Sequence, residues 1–338
     1  VKRFLLIVLS LLLVGGGIGV YLTLWAPNTF ENDRFIMVSK GETFLQVVSS
    51  LENAGILRSR LLFDAAGRWL DLTTKMQIGK YRFKSGMSNK EILEDLREGK
   101  TVELIGVTVP EGFRAVRQAR LLAKNLGIDS ARFMALVEDT ALARRLHIPA
   151  STFEGYLMPS TYKFYWQTDE AEIVTAMVNE FWQVFNDSLR LAAETRGKSI
   201  HEILTLASIV EMETAVDSER AIIAGVYNNR LRKNMKLEAD PTVQYVLEDG
   251  PRRLYYSDLQ RESAYNTYLH RGLPPGPINN PGRSSIYAAL FPARNKYLFF
   301  VASGEGGHTF SKTYQEHLKA VRHLKKIRAE KEAAKEEG

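Results

Sequence analysis

The chain has 338 residues, 45% of them apolar and 25% charged, enough for two folded domains of ordinary size. It contains no cysteine, which excludes disulfides, Cys-ligated zinc and thiol catalysis. The net charge of +6 is weighted towards a Lys/Arg-rich C-terminal region and is too diffuse to indicate a nucleic-acid surface.

Lys2 and Arg3 precede an uncharged run over residues 4–25. At 1.5 Å per residue, roughly 22 residues span about 33 Å, the depth of a bilayer core. Tyr21 and Trp25 stand at the far end, where interfacial aromatics belong, and no small-x-small cleavage site follows. The run predicts an uncleaved single-pass anchor, with residues 1–3 in the cytoplasm and the remainder outside. Gly15, Gly16 and Gly17 are tolerable in such a helix.

Residues 26–34 read as a linker. A strand over 35–39 and a Lys40-Gly41 turn follow, then a helix with Thr43 and Gln46 at capping-box spacing and Leu45, Val48 and Leu51 turned inward. This strand–KGET–helix order resembles the opening half of a LysM module, a small fold that binds cell-wall glycan; a plain α+β spacer is the alternative. GKYRFKSGMS gives a second strand and turn, and Ser88 with Glu91 caps a helix carrying Ile92, Leu93 and Leu96. TVELIGVTVP alternates as one strand stopped by Pro110. The first domain is therefore expected over 35–109.

From residue 110 the reading is mainly helical, with helices over 113–125, 130–138 and 140–147. An aromatic loop with a short strand follows at 153–166, then a long helix over 169–195. The helix over 200–214 sets Ile200, Ile203, Leu204 and Ala207 on one buried face. At about 100° per residue, Glu211 lies roughly 20° from Leu204 and about 40° from Ala207, whereas Glu213 points roughly the other way and can face water. Burial raises a carboxyl pKa, and a protonated Glu is what general acid catalysis needs. The opposing reading makes Glu211 a structural carboxylate paired with Arg220 or Arg230.

Asp217 or Ser218 is placed to cap a helix bearing Ile222, Ile223 and Val226. Asp240-Pro241 opens a short helix, and Ser257 with Gln260 has capping-box spacing. Residues 264–282 hold four prolines and three glycines, too many for a strand or helix; the stretch reads as a fixed loop. A buried strand over 296–302 and its hairpin partner at HTFS precede a last helix, capped by Thr313 and Glu316. That helix carries Leu318, Val321, Leu324 and Ile327 inward, and 331–338 is a charged tail.

The six histidines show no metal-ligand spacing, and neither GxSxG nor a phosphate-binding glycine loop occurs, so no metal or cofactor is expected. Carboxylates remain: Glu154, Glu211, Glu213, Glu219 and Asp240. A two-carboxylate glycosidase could pair Glu211 with Asp240 or Glu154. Tyr156, Tyr162, Tyr165 and Trp166 suit sugar rings, with core packing as the alternative for each.

LASIVEMETAV, SER, NRL, ADPTVQY, AYNTYLHRGLPPGPI and GGHTF occur in this order. With the anchor, KGET, YRFKSGMS, VPEGF and FEGYLMPSTY, they resemble the MltG (YceG-like) family of membrane-anchored endolytic murein transglycosylases along nearly the whole chain. The resemblance implies an α+β protein with a mainly helical catalytic domain, here 110–330, outside the cytoplasmic membrane. It matches the catalytic Glu of the IVExET motif to Glu211. It implies a cleft lined by Glu154, Asp240, Gln244, Asn266, Tyr268 and His308. Met212 departs from the charged residue usual at its position. The implied substrate is the peptidoglycan glycan strand, cleaved to leave 1,6-anhydromuramyl ends, with penicillin-binding synthases and elongation proteins as partners and no nucleic acid. A hydrolase with a second carboxylate and a non-catalytic wall-binding scaffold are the alternatives.

Overall fold

The computed structural model describes residues 2–73, 76–247 and 252–336; the end of the charged tail lies outside them. Among the described residues the fold is mixed α+β and mostly helical, with one apolar N-terminal helix and three small sheets. Helix α1 (Lys2–Leu24) contains the 22-residue stretch Arg3–Leu24 with mean hydropathy 2.5, long and apolar enough to cross a membrane. The chain divides into two compact units.

The first unit comprises Val1–Val107, Leu122–Ile128 and Tyr162–Asp169. Strands β1 (Arg34–Val38), β2 (Gly79–Phe83) and β3 (Val102–Glu103) form a sheet in the order β1-β2-β3, with antiparallel pairing throughout. Helices α2 (Phe44–Asn53), α3 (Arg60–Trp69) and α4 (Asn89–Glu98) cover it around Val47, Leu51, Phe63, Tyr81, Phe83 and Ile92. Both capping boxes form, Thr43 with Gln46 and Ser88 with Glu91. Leu45 does not turn inward; it is 50% exposed, and Phe44 and Val47 fill the core beside Val48 and Leu51. The expected single strand at TVELIGVTVP is two. β3 ends before Leu104, and β4 (Ile105–Thr108) pairs instead with β5 (Thr161–Phe164). Trp166 packs over Gly127 and donates to Ser39 Oγ at 3.2 Å, and Tyr162 stacks on Phe164, so these two rings serve packing.

The second unit comprises Thr108–Leu121, Asp129–Thr161 and Glu170–Gly338. After α5 (Ala115–Leu126), α6 (Ser130–Val137) and α7 (Thr140–Arg145), the expected long helix is broken into α8 (Glu170–Val184) and α9 (Asp187–Thr195). Asn186 makes the break, its Oδ1 accepting from Leu189 N–H at 3.3 Å as an N-cap. Helix α10 (Ile200–Glu213) packs against α11 (Asp217–Arg232) and α13 (Arg283–Leu290), while α12 (Asp240–Val246) lies between α11 and α13 in sequence. α11 begins at Asp217, so its N-cap position falls on Val216, whose side chain cannot cap, and Asp217 forms an ion pair with Arg220 instead. Ser257 makes no capping bond either: the segment is a 3₁₀ turn, Asp258–Gln260. The final hairpin is β6 (Phe299–Ala302) with β7 (His308–Ser311), and β6 is half-buried rather than buried. Thr313 and Glu316 cap α14 (Tyr314–Glu336) as expected.

Candidate active site

Helix α10 starts on a Ser199–Glu202 capping box, and every residue from 203 to 210 is buried. That middle stretch has no solvent face; in the last turn Met212 is 50% exposed, while Glu211 and Glu213 on either side of it hydrogen-bond to neighbouring elements. Glu213, read as free to face water, is partly buried and lines a cavity instead of lying on an open face. The Tyr227 hydroxyl, from α11, donates to Glu213 Oε1 at 2.5 Å. Burial raises the Glu213 pKa to about 7, against the Tyr227 hydrogen bond and Arg230, which lower it; the negative charge of Asp240 adds to the rise.

Glu213 lines a cavity of about 270 Å³ with Tyr227, Arg230, Glu238, Asp240 and Tyr268. Asp240 Oδ1 accepts from the Tyr268 hydroxyl at 2.5 Å. Both are set by a backbone clamp: Thr267 Oγ1 accepts from Ala239 N–H at 3.0 Å and lies 2.9 Å from Thr242 Oγ1, tying the start of α12 to the proline-rich loop. Pro241 suits the first turn of α12, where its missing N–H has no partner to lose. Arg230 is held by the Leu298 carbonyl at 2.7 Å, the Leu237 carbonyl at 2.9 Å and Glu238 Oε2 at 2.9 Å.

Glu211 is engaged differently. Its Oε1 accepts from Arg220 Nη1 at 3.0 Å and its Oε2 from Gly282 N–H at 2.9 Å. The two side chains of the ion pair are 6% and 8% exposed. Arg220 also donates to Ser285 Oγ at 2.6 Å, so the pair fastens α10 and α11 to the start of α13. This is the Arg220 pairing that the structural reading of Glu211 expects. Glu111 lies beside it: a Cβ on Gly282 would stand 2.0 Å from the Glu111 carboxyl, so a larger residue there would displace that carboxyl. Burial first, then the Glu211 charge, push the Glu111 carboxyl above its usual range.

A model of the YceG-like family matches residues 36–323. The chain belongs to the YceG-like family. It is 32% identical over 300 residues to the endolytic murein transglycosylase of Bacillus subtilis (strain 168), covering 84% of this chain and 83% of that protein. It is 27% identical to the endolytic murein transglycosylase of Streptococcus pneumoniae (strain ATCC BAA-255 / R6), with 94% of this chain matched but 64% of the longer pneumococcal protein. The crystal structure of a yceG-like protein from Listeria monocytogenes superposes with a TM-score of 0.62 at 30% identity, over 85% of this chain and 98% of that one.

Within this YceG-like fold the remaining expected site residues separate. Asp240 and Tyr268 line the Glu213 cavity. Glu154 does not: its Oε1 accepts from Ala115 N–H at 3.0 Å and from Asn280 Nδ2 at 3.0 Å. Burial takes the Glu154 pKa to about 7. Asn280 Oδ1 in turn accepts from the N–H groups of Gly155 and Leu157, joining the FEGYLMP and NNPG loops. Asn266 is fully buried and donates to the carbonyls of Leu259 and Arg261, which makes it a staple of its own loop. Gln244 is occupied by the backbone of Arg252. His308 Nδ1 lies 2.7 Å from Glu219 Oε2, and its backbone N–H donates to Glu219 Oε1 at 2.7 Å. Burial opposes ionisation of Glu219, but the His308 bonds hold its pKa below the ordinary value. Tyr156 is buried against Phe181 and His201, a core residue, while Tyr165 stays exposed. Tyr227, missed in the sequence, was traceable only as the α11 residue that faces the last turn of α10.

Proposed function

We propose that this YceG-like chain is a lytic transglycosylase that cuts peptidoglycan glycan strands internally, with Glu213 as its acid and base. One observation carries the reading: the Glu213 carboxyl, bonded to the Tyr227 hydroxyl, lines a polar cavity that also holds Asp240 and Tyr268, and burial raises its pKa. A general acid works best when its pKa lies near the working pH. Glu211 suits the role less, because both of its oxygens accept hydrogen bonds, from Arg220 and Gly282. Its part is to position the end of α10.

In the proposed reaction, protonated Glu213 gives its proton to the oxygen of the β-1,4 bond between N-acetylmuramic acid and N-acetylglucosamine. The bond breaks and positive charge develops at C1 of the muramyl ring. Asp240 is placed to oppose that charge. Glu213, now a carboxylate, takes the proton of the same ring's C6 hydroxyl as its oxygen bonds to C1. The products are a free 4-hydroxyl and a 1,6-anhydromuramyl end, and no water is consumed. The nucleophile is intramolecular, so proximity replaces an activated water.

Mass spectrometry of digested peptidoglycan tests this reading. Anhydromuramyl ends within strands are expected. Ends heavier by one water would instead make Glu213 and Asp240 the two carboxylates of a hydrolase.

The proposal includes location. An apolar α1 that opens with Lys2 and Arg3 supports a single-pass anchor in the cytoplasmic membrane with the enzyme outside. The order β1-α2-α3-β2, with the two strands antiparallel, supports a LysM-like glycan-binding role for the first unit. Penicillin-binding synthases and elongation proteins as partners follow from the family resemblance, and co-purification from membranes tests them.

A further inference from the structure

A second cavity, of about 600 Å³, opens on α11 away from Glu213. Successive helical residues turn by about 100°. Tyr227 and Arg230 face the acidic cavity, so Gly225, Asn228, Asn229 and Arg232, which line the second one, lie on roughly the opposite side of the helix.

Its wall is a fixed frame. A Cβ on Gly225 would stand 2.4 Å from the Ala293 carbonyl oxygen, so the loop after α13 rests directly on the helix. Ala293 N–H donates to the Ala221 carbonyl at 2.8 Å. Asn229 Nδ2 donates to the carbonyls of Asn295 at 3.1 Å and Tyr297 at 2.9 Å. Tyr297 N–H donates to Asn295 Oδ1 at 3.0 Å.

Four cations border this frame: Arg196, Arg232, Arg294 and Lys296, with no carboxylate among the lining residues. Arg196 is held over the Phe291 ring, 4.7 Å from its centroid, and donates to the Ala192 carbonyl at 3.1 Å. Gathering like charges around one concavity raises the free energy of the empty site and focuses a positive potential into it. Guanidinium forks and an ammonium match the oxygens of phosphate and carboxylate groups. The volume is that of a small-ligand site.

We propose that this cavity binds an oligoanion, a ligand bearing two or more phosphate or carboxylate groups. The inference stands on the cavity alone and does not depend on the cleavage reaction.

The test uses the full chain in a neutral detergent. Binding of inorganic triphosphate and, separately, of citrate is followed by titration calorimetry at low and high salt. One or both probes are expected to bind saturably, more weakly as salt screens the site. The R294Q/K296Q double variant, which alters two exposed side chains, is expected to bind at least about tenfold more weakly with an unchanged unfolding temperature. Preference for triphosphate assigns the site to phosphate groups, and preference for citrate to carboxylates. No saturable binding of either probe, or equal binding by the variant, overturns the proposal.

Discussion

The Tyr227 hydroxyl donates to Glu213 Oε1 at 2.5 Å, so a phenol on α11 and a carboxyl at the end of α10 share one hydrogen bond inside the fold. Asp240, across the same cavity, acts on Glu213 in the opposite sense. The phenol favours the carboxylate, and the neighbouring negative charge disfavours it.

Substituting these two neighbours should move the pH profile in opposite directions. In the proposed mechanism Glu213 acts from its protonated form, so activity falls as pH rises through its pKa of about 7. Tyr227→Phe removes a bond that lowers this pKa, and the alkaline limb should move up by about one pH unit. Asp240→Asn removes a charge that raises it, and the limb should move down. Rates of strand cleavage between pH 5 and 9 check both, and movement in the same direction in the two variants contradicts the assignment.

Stability should also respond to pH. Glu213 and Glu154 have pKa values near 7, raised by burial above the ordinary carboxylate value of 4.5. The folded chain therefore holds more protons than the unfolded chain across that interval, and stability falls as pH rises from about 4.5 through 7. Each group contributes at most roughly 3 kcal/mol, the free energy that corresponds to raising a pKa from 4.5 to about 7. Urea midpoints at pH 5 and pH 8 should differ less in an E154Q/E213Q variant than in the parent.

Gly155 has φ of +91°, and a Cβ there would stand 2.4 Å from Pro277. Gly155→Ala combines backbone strain with a collision against a rigid ring. It should lower stability by at least about 2 kcal/mol, measured by urea denaturation.

Arg220→Met leaves Glu211 buried without its ion-pair partner and should cost about 3–5 kcal/mol. Replacing both, as E211M/R220M, removes the stranded charge and should recover much of that loss. Equal losses in the single and double variants would show that the pair is not what stabilises this junction.

The sequence made the local devices legible. The capping boxes at Thr43, Ser88 and Thr313 and the fixed loop before α13 depend on neighbours a few residues apart, and the structure has them. Of the residues that share the Glu213 cavity, Asp240 and Tyr268 were legible in the sequence and Tyr227 was not. A single-face reading of α10 brought out Glu211 and sent Glu213 towards water. That logic holds for a surface helix and fails for one whose middle, residues 203–210, is buried on every side. The uncharged run LTLASIV, broken only by the small polar residues Thr205 and Ser208, was the available signal of such burial. Pairings across long separations, such as Glu154 with Asn280 or Glu211 with Gly282, leave no local trace.

The most direct measurement compares peptidoglycan digested by the parent chain, by E213Q and by E211Q, with anhydromuramyl ends counted by mass spectrometry and folding checked by thermal melts. The proposed mechanism gives folded E213Q with no anhydromuramyl product, and E211Q with reduced stability but measurable cleavage. Cleavage by folded E213Q, with none by an equally folded E211Q, would contradict the account and return the proton to Glu211.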